Sequence, residues 1–534
     1  MHPDNLYAYQ PFALESLSGF KSNSKHTSSG DLDRTKIDFK DPVQLRQLTC
    51  GLLLKDFHIK LSLPANRLCP MVPGRLDYCL WIIDVLRASV ELTDGGTGVL
   101  VIDIGTGSSA IYPLLLSRLL KNAQVIATEI DQSSFDSALQ NITKNDLSNR
   151  ITLHKTKSSD TTILPIQLVT EETNSKISIT MCNPPFYRSQ DEIEDLRSKK
   201  AFPPEAVCTG SEVEMVYPGG EVGFIEKLIT DSLIIGSQTR WFTSLCGKYT
   251  TLSPIVHLFK SLGFASRLNV CLNKIYKSIV CVFSSAKQGD NYAISELIQG
   301  RTRRWVIGWS WQHHRLPDNI TRALGPAGPR LKDSSQFLPL SNHLEYYFPM
   351  NVAVFQKGQS LTEQIKTTLQ LLKMCRFDQF QTDDPSCSCF WEITLYEKNW
   401  TRSARRKRKN LATEATSDHQ IPTKDVNSGS LRKSEDLDLL KPLDQDPILK
   451  VKITLDQYHP TPWMEKNQCV KDKKSPIIGS PKETSSSSDI IITPIEKPIG
   501  YKISIDWVFG KDRDSFLSFW NHVLNKTKSL STVH

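Results

Sequence analysis

The chain has 534 residues, and because a domain usually comprises roughly 100 to 200 residues, a single small module is excluded. Hydrophobic residues make up 39% and charged residues 23%, which is enough apolar material for a sizeable core, while 29 prolines and serine-rich stretches predict linkers. The formal net charge is +8, which bears on partners and solubility and says nothing about the fold.

Cysteine spacing and hydropathy exclude two further classes of protein. The 12 cysteines lack the paired C-x-x-C spacing of a zinc site, so we expect reduced thiols and no metal. The first residues lack the basic start and apolar run of a signal peptide, and no stretch approaches the length of about 18 apolar residues that a membrane span needs. We therefore expect an intracellular protein without a membrane partner.

The first half of the chain predicts a basic arm followed by an α/β domain. Residues 1–40 are polar and contain several Lys and Arg, a composition that does not fold alone. From Asp41, leucines at helical spacing predict a small helical subdomain. From residue 98, apolar runs alternate with helical patterns as strand, helix, strand, helix, strand, which is typical of a doubly wound parallel sheet. We predict one Rossmann-like domain over residues 41–312.

The second half predicts a smaller accessory domain. A segment rich in Pro and Gly over residues 313–340 is interpreted as a linker. Residues 341–534 contain strand-like runs and two helices, the first preceded by Ser360 and Glu363 in a capping-box pattern. We expect one α+β domain, interrupted by disordered insertions at about 402–445 and 464–495 because these segments are polar.

The first candidate site is a glycine turn in the sequence IDIGTG, which contains Asp103, Gly105 and Gly107. Glycines after a buried strand let a ligand approach the backbone, although many α/β folds use such glycines only for packing. Glu129 ends the next strand, close to the interval of roughly 20 residues at which an acidic residue accepts ribose hydroxyls. The third glycine of a pyrophosphate fingerprint is missing, so an adenosine-bearing ligand without phosphates fits better.

The second candidate site is the turn NPPF at residues 183–186. Asn183 offers an amide oxygen, Pro184 a backbone carbonyl and Phe186 a ring for stacking, while the two prolines stiffen the turn. Two acceptors can hold both hydrogens of an exocyclic NH₂ group and aim its lone pair at an electrophile. The alternative is a structural turn with Phe186 in the core.

Together these motifs resemble the methyltransferase-like family that methylates U6 small nuclear RNA, a class I S-adenosylmethionine-dependent methyltransferase family. The resemblance covers about residues 30–312 and includes IDFKDP, VPGRLDY, DIGTGSS, MCNPPF, the GGE at 219–221 and QGRTRRW. It implies a Rossmann-like class I methyltransferase domain, S-adenosyl-L-methionine as cofactor, and N6-methylation of an adenosine in the ACAGA segment of U6 snRNA. It also implies a role in mRNA splicing, with spliceosomal or RNA-processing proteins as candidate partners.

The resemblance also implies which residues bind the ligands. Cofactor contacts are expected from Arg75, Asp103, Gly105, Gly107, Ser109, Glu129, Thr162 and Asn183. Thr161 rivals Thr162, because the loop KTKSSDTTIL is longer here than in the family and its role in cofactor access is therefore not carried over. Asn183, Pro184, Pro185 and Phe186 are expected to hold a flipped adenine, as chemistry on a base requires.

Basic residues predict where RNA binds. The candidates are Arg34, Lys36 and Lys40 in the arm and Arg301, Arg303 and Arg304 beside Trp305, which combine phosphate-neutralising charge with an aromatic surface. For any one lysine, a solvated surface position is the alternative. The run RSARRKRK at 402–409 is interpreted as a nuclear import signal, ahead of an RNA-binding patch or a solvated run, so we expect the protein in the nucleus.

Three other functions fit parts of the pattern. A protein glutamine-N5 methyltransferase also needs an NPP-aromatic turn, because an amide presents the same two hydrogens, but it has no use for the basic clusters. A cytosine-N4 methyltransferase shares the chemistry without the specific motifs. A catalytically inactive RNA-binding scaffold keeps the fold, although the intact Glu129 and NPPF turn argue against it.

Overall fold

The computed structural model divides the chain into two compact units, Met1–Ser341 and Asn342–His534. The structure describes residues 1–9, 37–89, 98–157, 159–167, 177–198, 210–265, 291–300, 302–323, 335–348, 361–372, 375–380, 387–401, 403–404, 406, 446–458 and 500–531. Each unit is built around its own sheet. No helix within these ranges is long and apolar enough to cross a membrane.

The first unit confirms the predicted Rossmann-like α/β fold. Its seven strands are β1 (Leu100–Ile104), β2 (Gln124–Glu129), β3 (Ile151–Lys155), β4 (Ile177–Cys182), β5 (Thr239–Cys246), β6 (Tyr292–Gln299) and β7 (Thr302–Trp309). They lie in the order β3-β2-β1-β4-β5-β7-β6. The strands from β3 to β5 are parallel, while β7 is antiparallel to both β5 and β6. Strands are added on one side of β1 as far as β3 and then on its other side from β4 onward. The carboxyl ends of β1 and β4 therefore flank the switch point at which α/β proteins bind their ligands.

Helices cover both faces of this sheet. They are α1 (Pro42–Phe57), α2 (Val72–Ser89), α3 (Ile111–Leu119), α4 (Gln132–Lys144), α5 (Gln190–Ser198), α6 (Glu212–Met215), α7 (Gly220–Ile235), α8 (Leu252–Ala265) and α9 (Asp318–Thr321). Successive strand residues point to opposite faces, so Val101 packs in the core with α1 to α4 and Ile102 in the core with α7 and α8. Because both faces are covered, β1 and β4 are buried along their whole length.

Two predicted boundaries differ from the structure. Residues 1–9 are packed on α2 and are not part of a free arm: Asn5 is buried and donates to Asp77 Oδ1 at 2.6 Å. Residues 313–323 are not a linker, because Leu316 and Ile320 are buried and Ser295 Oγ donates to the Ile320 carbonyl at 2.6 Å. These contacts extend the first unit beyond residue 312, and composition did not reveal them because they depend on partners far away in the sequence.

In its described residues, the second unit has an antiparallel sheet and two helices. Its elements are β8 (His343–Phe348), α10 (Leu361–Gln370), β9 (Cys375–Phe380), β10 (Cys387–Leu395), β11 (Leu449–Tyr458), β12 (Gly500–Gly510) and α11 (Arg513–Ser531). The strand order is β8-β12-β11-β10-β9, and alternate residues such as Trp391 and Ile393 pack with both helices. Ser360 and nearly all of the two predicted insertions lie outside the described residues.

Candidate active site

A cavity of about 580 Å³ opens at the carboxyl ends of β1, β2 and β4. Its walls include the glycine turn, the end of β2, the loop at 156–163, the NPPF turn and α6. Of the predicted cofactor residues, it is lined by Arg75, Gly105, Gly107, Ser109, Glu129, Thr162 and Asn183. Asp103 does not line it, because this residue is fully buried within β1. Seven of the eight residues predicted to contact the cofactor therefore line one cavity.

The glycine turn has a backbone that favours glycine. Gly105 and Gly107 have φ angles of +68° and +67°, in the left-handed region where a side chain is strained. A Cβ atom on Gly105 would meet no atom within 4 Å, so the requirement at this position is conformational. The Thr106 amide donates to the Thr128 carbonyl at 2.8 Å, which ties the turn to β2 and leaves open space above it for a ligand.

Glu129 is fixed at the cavity wall by three backbone amides. Its carboxylate accepts from Gly107 N at 2.8 Å, Ile130 N at 2.9 Å and Asp131 N at 2.8 Å. Burial raises the pKa of Glu129, and these amides oppose the rise. In the strand beside it, burial raises the pKa of Asp103 to about 7, and the charge of Glu129 adds to this effect. The two carboxyl groups thus differ in role, since Glu129 faces the cavity and Asp103 lies beneath it.

The wall of the cavity also contains a cation, Arg75. Arg75 on α2 donates from Nη1 to the Tyr112 hydroxyl at 2.7 Å, and its guanidinium carbon lies 5.5 Å from the centroid of the Tyr112 ring. Both residues line the cavity. A guanidinium held in this way can pair with a carboxylate in two parallel hydrogen bonds.

The loop at 156–163 carries both threonine candidates. Thr161 and Thr162 line the cavity, and the Thr162 hydroxyl donates to the Leu164 carbonyl at 3.0 Å. The end of the loop is anchored to α7, because Asp231 Oδ2 accepts from Ile163 N at 2.6 Å. Asp231 also pairs with Lys227, at 2.5 Å between Oδ1 and Nζ. Sequence reasoning missed Asp231, because a single acid in an amphipathic helix carries no local signal.

The NPPF turn contains a buried acceptor without a partner in the described part of the chain. Asn183 and Pro185 line the cavity, and Asn183 Oδ1 is buried without a hydrogen-bond partner among the described residues. Buried polar atoms nearly always have a partner, so this oxygen is poised for a donor from a ligand. Phe186 does not line the cavity; its ring lies against Gly247, where a Cβ atom would be 2.7 Å from Phe186 Cδ1. The structural-turn alternative for Asn183 is therefore disfavoured.

One basic residue of β7, Arg304, reaches the same turn. The Arg304 guanidinium carbon lies 5.7 Å from the centroid of the Phe186 ring, whereas Arg303 pairs with Glu296 at 3.1 Å. Trp305 is buried against Tyr249, with ring centroids 5.7 Å apart. It does not supply the predicted aromatic surface, because neighbouring strand residues face opposite sides of the sheet.

The other predicted RNA-binding residues are less informative. Lys40 is exposed, and its backbone amide donates to Asp38 Oδ1 at 2.9 Å. Arg34, Lys36 and Arg301 lie outside the described residues.

Sequence reasoning also missed Glu214, which lines the cavity from α6. Its carboxylate accepts from Ser211 N at 2.8 Å and from Leu68 N at 3.2 Å. Ser211 and Glu214 form a capping box. This pattern of a serine followed three residues later by a glutamate is the signal that could have found the segment.

Comparisons with known proteins identify the family of the chain. A family model described as RNA methyltransferase matches residues 1–276. The U6 small nuclear RNA (adenine-(43)-N(6))-methyltransferase of Schizosaccharomyces pombe is 31% identical, over 72% of this chain and 86% of its own. Human RNA N(6)-adenosine-methyltransferase METTL16 is 32% identical, over 77% of this chain and 68% of its own.

Solved structures include the N-terminal domain of human METTL16 in complex with SAH, at 30% identity and a TM-score of 0.43, covering 58% of this chain and 98% of that one. The match of the family model over more than half of the sequence, together with the fold and the NPPF turn at its cavity, establishes that the chain belongs to the RNA methyltransferase family.

Proposed function

We propose that this protein transfers a methyl group from S-adenosyl-L-methionine to N6 of an adenosine in RNA, and that its target lies in the ACAGA segment of U6 snRNA. The observation that carries the proposal is the buried, unpartnered Oδ1 of Asn183 in the wall of the cavity. The relatives named above support the adenine-N6 reaction and the U6 substrate.

The cavity residues fit S-adenosyl-L-methionine. The Glu129 carboxylate suits the two ribose hydroxyls, and the glycine turn at Gly105 and Gly107 leaves space for the backbone to approach the ligand. Arg75 suits the carboxylate of the amino-acid end, while Ser109 and Thr162 supply hydroxyls along the wall. The cofactor supplies an electrophilic methyl group on a sulfonium sulfur.

The NPPF turn would hold the adenine. Asn183 Oδ1 and the Pro184 carbonyl accept the two N6 hydrogens, which directs the nitrogen lone pair out of the base plane toward the methyl carbon. Phe186 stacks on the base. The new N–C bond replaces the S–C bond, and the proton that N6 then carries in excess passes to solvent, so the residues contribute position and need no strong base.

Family membership favours RNA over a protein glutamine as the substrate. Arg304 beside Phe186 adds an observation in the same direction, since a cation next to a base-stacking ring suits a nucleotide with its phosphates. The inactive-scaffold alternative is disfavoured because Glu129 and Asn183 are both in place at the cavity.

The test incubates purified protein with labelled S-adenosyl-L-methionine and a structured RNA carrying the U6 ACAGA segment. A matched RNA has cytosine in place of the target adenine. We expect N6-methyladenosine after digestion to nucleosides only from the first RNA. Binding of both RNAs without any transfer would contradict the proposal and support the scaffold.

We further propose that the second unit binds RNA. On the sheet face opposite its helices, Phe380 and Phe390 stack with ring centroids 4.9 Å apart, and Lys452 Nζ lies 3.9 Å from the centroid of Phe390. Cations over exposed rings suit single-stranded nucleic acid. Nuclear localisation and RNA-processing protein partners are also proposed, and a fluorescent fusion with residues 402–409 substituted by alanine tests the former.

A further inference from the structure

The Gly-Gly-Glu segment at 219–221 contacts the residues that follow the NPPF turn. Gly219 and Gly220 have φ angles of +81° and +67°, and a Cβ atom on Gly220 would lie 2.8 Å from Arg188 Cγ and 3.5 Å from the Tyr187 carbonyl carbon. The start of α7 therefore approaches this part of the chain more closely than a side chain would allow. Neither glycine lines the cofactor cavity.

Glu221, the third residue of the segment, fixes the loop after β5. Its buried carboxylate accepts from the Gly247 amide, from Lys248 N at 3.2 Å and from Thr251 Oγ1 at 2.5 Å. Burial raises the pKa of Glu221, and the hydrogen bonds from Thr251, Gly247 and Lys248 oppose the rise. A buried carboxylate with three donors from one short loop holds that loop in place.

The loop in turn contacts the ring of Phe186. A Cβ atom on Gly247 would lie 2.7 Å from Phe186 Cδ1 and 2.8 Å from Cε1, so the ring occupies the space that a side chain at residue 247 would need. Arg304 Nη1 donates to the Gly247 carbonyl at 3.4 Å, and its guanidinium carbon is 5.7 Å from the Phe186 centroid. The position of Gly247 thus sets the position of the ring and of the cation beside it.

The same loop holds the next aromatic residue. Lys248 Nζ lies 5.0 Å from the centroid of Tyr187 and donates to Glu192 Oε1 at 2.7 Å. The loop after β5 therefore contacts both aromatic residues that follow the two prolines.

We propose that Glu221 is a positioning residue for methyl transfer, which acts through Gly247 on Phe186 and so sets the plane of the bound adenine. The proposal rests on the proposed function. Glu221 does not line the cofactor cavity, so its effect is expected on the reaction step and on base stacking rather than on cofactor affinity.

The experiment compares the full-length protein with Glu221→Gln, which keeps the size of the side chain and replaces one acceptor oxygen by an NH₂ donor. We expect kcat to fall about tenfold or more, because a displacement of about 1 Å in a reacting group can cost about 100-fold. The Kd values for S-adenosyl-L-methionine and for the ACAGA RNA are expected to stay within about threefold, which is less than about 0.7 kcal/mol.

A second readout reports on the base itself. The probe is an RNA with 2-aminopurine in place of the methylated adenine; its amine is at C2 instead of C6, so its emission, which is quenched when the base stacks on an aromatic ring, reports on stacking alone. At saturating protein, we expect brighter emission from the Glu221→Gln complex than from the wild-type complex. A general loss of stability does not produce this difference while the protein remains folded.

Two variants control the interpretation. Asp231→Asn removes a buried acid from the same helix, but Asp231 anchors the cofactor loop through Ile163, so we expect a higher KM for the cofactor instead of a lower kcat. Gly247→Ala keeps the Glu221 side chain and places a methyl group 2.7 Å from Phe186 Cδ1 and 3.2 Å from Glu221 Oε1, so it disturbs the same contact from the loop side. It should reproduce the kcat loss and the brighter emission, and it decides the question if Glu221→Gln fails to fold.

The outcomes separate this inference from the proposed function. Wild-type methylation with unchanged kcat in Glu221→Gln and Gly247→Ala would overturn the positioning role alone. An equal loss of cofactor affinity and kcat in Glu221→Gln, with unchanged 2-aminopurine emission, would also overturn it. Absence of methylation by the wild-type protein would instead contradict the proposed function.

Discussion

At the scale of single residues, the proposed role of Asn183 in holding an amine depends on one atom, Oδ1. Its Oδ1 is buried without a partner in the described part of the chain, and a buried polar atom without a hydrogen bond costs free energy of roughly 1 to 3 kcal/mol. A donor from the substrate would remove this cost. The proposed recognition of an NH₂ group therefore depends on this atom.

We predict that Asn183→Ala lowers kcat by about 100-fold or more, since losing one positioned hydrogen bond to a reacting group typically costs about 10²-fold to 10³-fold. RNA affinity should change little, because phosphate contacts dominate it. Methylation of the ACAGA RNA under saturating cofactor measures the first effect and filter binding the second. Unchanged methylation would show that Asn183 does not hold the amine.

Asp103 gives a prediction about pH. Burial raises its pKa from 3.8 to about 7, so the folded protein binds this proton more readily than the unfolded chain. Its contribution to stability is therefore lost as pH rises through about 4 to 7, at up to about 1.4 kcal/mol per pKa unit. We expect Asp103→Asn to gain in Tm relative to the wild-type protein between pH 5 and pH 8.

Asp41→Asn is the control for that measurement, because the Asp41 carboxyl has a lowered pKa and stays ionised over the whole range. Its Tm difference from the wild-type protein should not depend on pH. Parallel Tm curves for Asp103→Asn and the wild-type protein would mean that Asp103 ionises near its ordinary pKa.

At the scale of elements, Asp41 and Asp131 each cap a helix of the first unit, but only the cap at Asp131 adjoins the site. Asp41 caps α1 by accepting from Val43 N at 2.8 Å. Asp131 caps α4 by accepting from Ser134 N at 2.8 Å, and it also pairs with Arg67 at 2.8 Å. The Asp131 amide donates to Glu129, so this cap belongs to the cofactor wall.

We predict that Asp41→Ala and Asp131→Ala each lower the Tm, because each substitution removes the N-cap of a helix. Only Asp131→Ala should also weaken cofactor binding, because it loosens the backbone that fixes Glu129. Thermal unfolding and calorimetric titration with S-adenosyl-L-methionine measure the two effects. Equal cofactor affinity in both variants would show that Glu129 is held independently of the cap.

Strand alternation explains a prediction that was wrong at this scale. Arg304 and Trp305 are neighbours in the sequence, yet Arg304 approaches Phe186 while Trp305 packs in the core. The composition of this segment predicts a single surface that contains both residues. The pleat of β7 places Arg304 and Trp305 on opposite faces, so Trp305 is not part of the surface that Arg304 shares with Phe186.

At the scale of the whole molecule, the cavity and its supporting cores lie within the first unit. Every residue that lines the cavity falls between Leu68 and Lys227, and this unit ends at Ser341. The second unit has a core of its own, centred on residues such as Trp391 and Phe516. Each unit therefore has the hydrophobic core that independent folding requires.

We predict that a chain ending at Ser341 binds S-adenosyl-L-methionine with a Kd within about threefold of the full-length value. RNA affinity should fall and depend less steeply on salt, since fewer phosphates are neutralised. Titrations at several salt concentrations test this. Unchanged RNA affinity and salt dependence would contradict the proposed RNA binding by the second unit.

Local patterns in the sequence determined the α/β fold, the glycine turn, the acid after β2 and the NPPF turn. These features can be predicted because buried parallel strands are continuously apolar and because the backbone at Gly105 and Gly107 favours glycine. Asp41 as the cap of α1 was predictable for the same reason, since a cap acts within its own turn.

Only the tertiary structure decided what lies around that turn. Asp231 and Glu221 both lie on α7. Asp231 binds the cofactor loop at Ile163, and Glu221 binds the loop after β5 at Gly247, each across dozens of positions in the sequence. The packing of residues 1–9 and 313–323 onto the first unit is equally non-local. Such contacts form because elements meet in space, and no periodicity or composition along the chain encodes which buried acid will meet which amide.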